Sequence, residues 1–317
     1  GKTNTAAAYL FDTLKFGQHW QVNVGVRLDH YTTDFSSMVA CGGRRGPACG
    51  SLPTGSIVRG LDTRITGNLP SYKLGVLYKP AANGSLYLNL AQSQEPPGGS
   101  TLTLSSSANS LDNPNLDPQK ARTIELGTKW DLLDGRLLVT GALYRTTVSN
   151  ELVQDPVDTS VYYQIGKKRV QGVELTAVGE ITKHWAVSAG LTTMDAKVVN
   201  GTAVAEDGSD ALAYTPKRAF TAWTTYHLPF GLTVGGGARY SGQLKRGTDG
   251  AIGTPAYTDA YWVFDAMASY PVNKHVDLQL NVYNLFDKKY VAAINKSGYR
   301  YTPGTPRSAM ITANFRF

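Results

Sequence analysis

Two cysteines and five histidines are the side chains of this 317-residue chain best suited to do chemistry on their own. Cys41 and Cys49 bracket the Gly- and Arg-rich segment Gly42-Gly43-Arg44-Arg45-Gly46-Pro47-Ala48. A metal site would require further His or Cys ligands, and the neighbouring sequence supplies none. The pair reads instead as a disulfide within one loop, which places the chain in an oxidising compartment. Nucleophilic or acid–base catalysis would need a histidine facing a serine or a carboxylate. His19, His184, His227 and His275 stand at or beside short turns, and only His30 stands apart, next to Asp29. Sequence neighbours in a strand point to opposite faces, so Asp29 and His30 cannot form a dyad there. The expectation is a protein that is not an enzyme.

The elements that would position these groups are strands. Trp20, Val22, Val24, Val26 and Leu28 alternate with Gln21, Asn23, Gly25, Arg27 and Asp29, and Ile124, Leu126, Thr128 and Trp130 alternate with Glu125, Gly127, Lys129 and Asp131. The charged residues Arg27, Glu125, Lys129 and Arg239 are expected on the polar face throughout, which a wet interior permits and a dry core does not. Arg136 to Tyr144 fits either facing. The last strand alternates strictly, with Ile311, Ala313, Phe315 and Phe317 opposite Thr312, Asn314 and Arg316. Its terminal aromatics, Phe315 and Phe317, read as a barrel-assembly signal at a membrane interface.

Connections alternate between short and long. The short ones, such as Leu133-Asp134-Gly135 and Pro229-Phe230-Gly231, carry tight-hairpin chemistry. The long ones, about 34–64, 95–119, 154–162, 200–215, 246–258 and 287–305, are rich in Gly, Pro, Ser and Asn. This is the signature of an all-β, antiparallel up-and-down transmembrane barrel with periplasmic turns and extracellular loops. A propeller would repeat a motif every ~40–50 residues, and no such period is visible. Counting gives about thirteen strands. Bacterial single-chain barrels have even numbers, so strands preceding residue 1 are expected.

Composition agrees. Only 17% of residues are charged, against about a quarter in average proteins. No apolar run reaches the ~18 residues of a spanning helix. The net charge of +7 serves either to solvate polar loops or to attract an anionic ligand or lipopolysaccharide phosphates. Nucleic acid is not an expected partner, since no basic stripe or nucleic-acid module appears.

Asn284-Leu285-Phe286-Asp287-Lys288-Lys289-Tyr290, followed at a fixed distance by the terminal Phe317, resembles the C-terminal motif of TonB-dependent outer-membrane receptors. Gly166–Leu175 looks like their strand motif, and Asn113–Arg122 with Glu125-Leu126-Gly127 is similar to their "NPNLxPE…ELG" segment, with Gln119 where Glu is usual. Segments 214–240, 244–265 and 292–301 resemble the catecholate siderophore receptors of the Fiu type. The resemblance covers nearly the whole chain and is weakest at the Cys41–Cys49 loop.

The resemblance implies a barrel of about 22 strands around a plug. Residues 1–317 would be its C-terminal part, with the plug, roughly nine strands and the TonB-engaging segment absent, so that this portion alone would not transport. It implies an outer-membrane receptor that binds a ferric catecholate siderophore and imports it with TonB-derived energy. The TonB complex, outer-membrane lipid and lipopolysaccharide would be its partners. No resident cofactor is implied, because iron travels inside the ligand. A passive porin is the alternative. An anionic, aromatic ligand calls for Arg or Lys charge and Tyr faces, and the candidates on loops and outer strand ends are Arg44, Arg45, Lys245, Arg246, Tyr257, Tyr299, Arg300 and Tyr301.

Overall fold

A computed structural model describes residues 1–42, 47–99, 102–155, 157–158, 160–248, 252–295 and 299–316. Arg44, Arg45 and Phe317 lie outside them. The strands in chain order are β1 Lys2–Phe16, β2 Trp20–Ala40, β3 Ile57–Ala81, β4 Gly84–Glu95, β5 Gln119–Leu132 and β6 Leu137–Gln154. They continue with β7 Tyr162–Thr182, β8 Trp185–Asn200, β9 Arg218–His227, β10 Thr233–Ser241, β11 Leu244–Lys245 and β12 Tyr257–Thr258. The last five are β13 Tyr261–Asn273, β14 Val276–Tyr283, β15 Val291–Ile294, β16 Tyr301–Pro303 and β17 Ser308–Phe315. Thirteen of them form one antiparallel meander in the order β1 to β10, β13, β14, β17, matching the expected count. The pairs β11–β12 and β15–β16 are small separate sheets inside two long loops. No helix occurs among the described residues.

Register shows why the alternation of each strand matters collectively. Val22 pairs with Val76, Val76 with Leu88, Leu88 with Leu126, Leu126 with Leu143 and Leu143 with Val173. One unbroken apolar row therefore crosses six strands on the outward face. Leu126 and Leu143 are each 53% exposed, a poor arrangement in water and the required one against lipid. On the β9 to β13 side the same belt continues as Phe220, Tyr240 and Trp262, with Trp262 rings 5.0 Å from Tyr240 and 5.9 Å from Phe264. The opposite face is polar. Arg27 forks onto Asp29 at 2.8 and 2.7 Å, Lys129 Nζ stands 5.6 Å from the Tyr87 ring centre, and Arg316 meets Asp277 at 2.7 Å.

The short turns are built as their residues dictate. Leu133, Asp134 and Gly135 all take positive φ, +53°, +59° and +80°, and a glycine at the last of these avoids the Cβ clash of left-handed backbone. The turn histidines cap strand ends: His19 Nδ1 lies 2.7 Å from Lys79 O, and His275 Nδ1 lies 3.0 Å from Arg316 O. His30 bonds Asn68 across the β2–β3 pair.

Two expectations are corrected, and one open facing is settled. The connection expected over 34–64 is about half strand, because Asp34 pairs with Arg64 and the ladder continues to Ala40 opposite Ile57. An ion pair at 3.4 Å between those two side chains supports the protruding ribbon. The ambiguous segment is settled by register: Val139, Gly141 and Leu143 face outward, as partners of Trp130, Thr128 and Leu126. Finally, charge does not keep to the inner face everywhere. Arg122 and Arg145 share the outward face with Ile124 and Leu143, on the long-loop side of the apolar row.

Candidate ligand site on the extracellular loops

The described candidates, Lys245, Arg246, Tyr257, Tyr299, Arg300 and Tyr301, lie on the long-loop end of the sheet, where the described residues of segments 201–217, 242–260 and 284–307 fold against one another. Backbone pairing ties the first two: Glu206 N donates to Arg246 O at 2.9 Å, Thr248 N to Val204 O at 3.1 Å, and Tyr214 N to Lys245 O at 2.8 Å. A bridge joins Ala205 to Gly247. Within the second loop, β11 pairs with β12, so Lys245 lies opposite Tyr257 in register. β12 also lies against β15 of the third loop.

These contacts give the two adjacent cations different work. Arg246 is 2% exposed; within its own loop Nε donates to Pro255 O at 2.9 Å and Nη2 to Thr254 O at 3.4 Å, and Nη2 also meets Glu206 of the first loop at 3.2 Å. Its Nη1 is buried and has no hydrogen-bond partner among the described residues. Lys245 Nζ donates to Asp207 Oδ2 and, at 2.9 Å, to Ser209 Oγ. That ammonium, with the Ser209 bonds, holds the Asp207 carboxyl well below the usual carboxylate range. Tyr257, Tyr299 and Tyr301 are exposed at 51%, 72% and 62%, and Arg300 is also exposed. Tyr299, Arg300 and Tyr301 are consecutive on the third loop, where Arg300 N donates to Asn295 Oδ1 at 3.2 Å.

Two cavities open among the loops. The first, about 270 Å3, is lined by Met194, Leu212, Lys217, Arg218, Tyr240 and Lys245 among others, with three cations and no carboxylate. The second, about 540 Å3, lies beneath the last loop between Tyr261, Tyr290 and Tyr301, with Lys288 and Lys289 beside Asp259 and Asp287. Tyr261 and Tyr290 pack with ring centres 4.2 Å apart. The first cavity suits an anion. The second has balanced charge, so its selectivity rests on aromatic faces.

Lys217, Arg218, Lys288, Lys289, Tyr261 and Tyr290 were not among the sequence candidates. Three of them stand inside the Asn284–Tyr290 motif, and reading that motif for its side chains would have found them. The rest of the motif builds the floor of the last loop. Asn284 is 2% exposed; its Nδ2 donates to Lys288 O and Thr305 O, both at 2.9 Å, and its Oδ1 accepts Lys288 N at 2.8 Å. Asp287 Oδ1 accepts Arg307 N at 3.0 Å from the far side of the loop.

A family model described as "TonB dependent receptor-like, beta-barrel" matches residues 1–285. The chain belongs to that family. It is 50% identical to the catecholate siderophore receptor Fiu of Escherichia coli (strain K12), over 100% of this chain and 42% of that protein. The crystal structure of the ferric-catecholate import receptor Fiu from E. coli K12 in its closed form superposes with a TM-score of 0.94, covering 99% of this chain and 45% of that one. The siderophore receptor PiuA from Acinetobacter baumannii, 32% identical, gives 0.80 over 99% of this chain and 43% of that chain. The chain thus spans less than half the length of these relatives. Family membership makes it part of an outer-membrane β-barrel and of a group of transport receptors, not enzymes.

Proposed function

We propose that this chain is the C-terminal barrel portion of a receptor that binds a ferric catecholate siderophore at the cell surface and imports it with TonB-derived energy. Identity of 50% along the whole chain to a catecholate siderophore receptor carries this reading. The loops supply what an anionic aromatic complex needs, a carboxylate-free cationic cavity and a tyrosine-walled one. In this reading Lys245, Tyr257, Tyr299, Arg300 and Tyr301 contact the ligand, Arg246 holds the loop that presents Lys245, and Arg44 and Arg45 belong to the same loop-borne set. The iron is cargo, so no resident cofactor is needed.

The edges β1 and β17 would pair with barrel strands outside this chain, because an open edge cannot face lipid. The plug and the contact with the TonB complex would also come from outside it. Outer-membrane lipid and lipopolysaccharide complete the proposed partners. The passive-porin alternative finds no support in the family to which the chain belongs.

The test uses iron-starved cells whose own catecholate receptors are deleted, complemented with the full-length receptor. Uptake of labelled ferric catecholate complexes should return, and uptake of a ferric hydroxamate should not. Failure to import every catecholate offered rejects the substrate class.

A further inference from the structure

Lys245 lines the smaller loop cavity together with Lys217 and Arg218, and Asp207 does not line it. The three cations are not equivalent. Lys217 and Arg218 are exposed and meet no carboxylate among the described residues. The Lys245 ammonium has three donors, and two of them are already engaged, by Asp207 Oδ2 and Ser209 Oγ. One cation of an anion cavity is thus held beforehand by an anion of the protein's own.

Each half of this contact has supports of its own. Asp207 Oδ1 accepts from Ser209 Oγ at 2.6 Å and from Ser209 N at 3.1 Å, with Gly208 between them at φ +73°. The carboxylate therefore closes a turn on the backbone two residues ahead and keeps its place without the lysine. The Lys245 backbone is fixed separately, by Tyr214 N on its carbonyl at 2.8 Å and by pairing with Tyr257 on β12. The two loops stay joined through main-chain bonds, Glu206 N to Arg246 O and Thr248 N to Val204 O. What can change partner is the lysine stem, a flexible chain of methylenes carrying a compact charge. The Lys245 side chain is 26% exposed and that of Asp207 45%, so an incoming anion can reach the contact.

We infer that Asp207 is a counter-charge which the ligand must displace, and that it decides which ligands can use Lys245. Without an anion in the cavity the ammonium rests on Asp207. An anionic oxygen bound beside Lys217 and Arg218 draws it across. A ligand lacking such an oxygen leaves Lys245 where it is and gains nothing from it. The inference rests on the loop-site reading of the proposed function and adds to that site a residue that opposes binding. For a pair this exposed the opposition amounts to about three- to fivefold in affinity.

The experiment uses the full-length receptor purified in detergent, with ferric tris-catecholate as the probe and quenching of tryptophan fluorescence as the readout. The unmodified receptor is compared with Asp207→Asn, Lys245→Gln and the double variant. Asparagine keeps the acceptor that closes the turn onto Ser209 and removes only the charge. Asp207→Asn should bind about three- to fivefold more tightly than the unmodified receptor, and Lys245→Gln more weakly. In the Lys245→Gln background the gain from Asp207→Asn should vanish, because no ammonium is left to release. Unchanged or weaker binding by Asp207→Asn overturns the inference and leaves the contact as loop support alone. A gain of equal size in the Lys245→Gln background also overturns it, since Asp207 would then act on the ligand directly. If none of the four forms binds the ferric catecholate, the ligand reading falls and takes this inference with it. Binding by the unmodified receptor without the expected gain strikes the inference and leaves the ligand reading standing.

Discussion

Lys245 Nζ on the β10–β13 loop donates at once to Asp207 Oδ2 and Ser209 Oγ on the β8–β9 loop. Together with the Glu206–Arg246 pair and the Ala205–Gly247 bridge, this makes the two loops one unit. Replacing Asp207→Asn should therefore speed amide exchange several-fold in both segments, 204–214 and 245–248, and not only in the one that carries the change. Faster exchange confined to 204–214 would contradict the coupling.

The same pair has a defined pH range. Lys245 lowers the Asp207 pKa below its unfolded value, so the contact is at full strength above the ordinary carboxylate range and is lost as pH falls through the depressed value. Between pH 5 and 8 the loop unit should show no titration at Asp207. Exchange rates corrected for intrinsic chemistry should be flat over that interval for this pair.

Asn284 is the central tie of the last loop, with both side-chain ends engaged and its own amide held by Asp265 Oδ1 at 2.8 Å. Asn284→Ala leaves the carbonyls of Lys288 and Thr305 without that donor and the Lys288 amide without its acceptor. A cost of roughly 1–3 kcal/mol is expected, read as a lower thermal midpoint of the full-length receptor and reduced surface levels. Asn284→Asp should not rescue it, because a carboxylate donates no hydrogen bond to those carbonyls.

Depth along the outer face should set the tolerance for charge. Leu126→Arg places a cation on the apolar row and should cost about 2–4 kcal/mol, whereas Gln171→Arg, on the same face but beyond the row, should cost ~0–1 kcal/mol. Urea unfolding of the full-length receptor in lipid vesicles makes the comparison. Equal costs would mean that the bilayer is not where the row puts it.

The Cys41–Cys49 bond, with Cα atoms 5.0 Å apart, closes a small loop beyond the protruding β2–β3 ribbon. Its effect on the unfolded chain is roughly 2–3 kcal/mol for a loop of this length, but it cross-links nothing within the bilayer. Cys41→Ser with Cys49→Ser should leave the heat-modifiable mobility of the barrel unchanged. Protease should then cut within 41–56, and a loss of barrel resistance would assign the bond a wider role.

The barrel was legible because its code is local. A period of two in each strand, read from residues such as Val22, Val24 and Val26, gave the faces and the count of thirteen strands without any knowledge of pairing. What escaped depends on contacts distant in sequence. Nothing near Arg246 announces that its guanidinium will be enclosed by Pro255 and Glu206, and nothing near Tyr261 announces Tyr290. The outward position of Arg122 and Arg145 was readable in principle from parity with Ile124 and Leu143. Taking every charge as inward hid it, because a strand longer than the bilayer is thick has two wet ends on its lipid side.

The row from Val22 to Val173 has one last consequence. Each of its residues fixes the height of its own strand, and hydrogen bonding obliges all six to agree. Depth in the membrane is therefore recorded several times over, like a waterline painted on every plank of a hull. A single altered plank can weaken the wall locally, but it cannot make the vessel float higher.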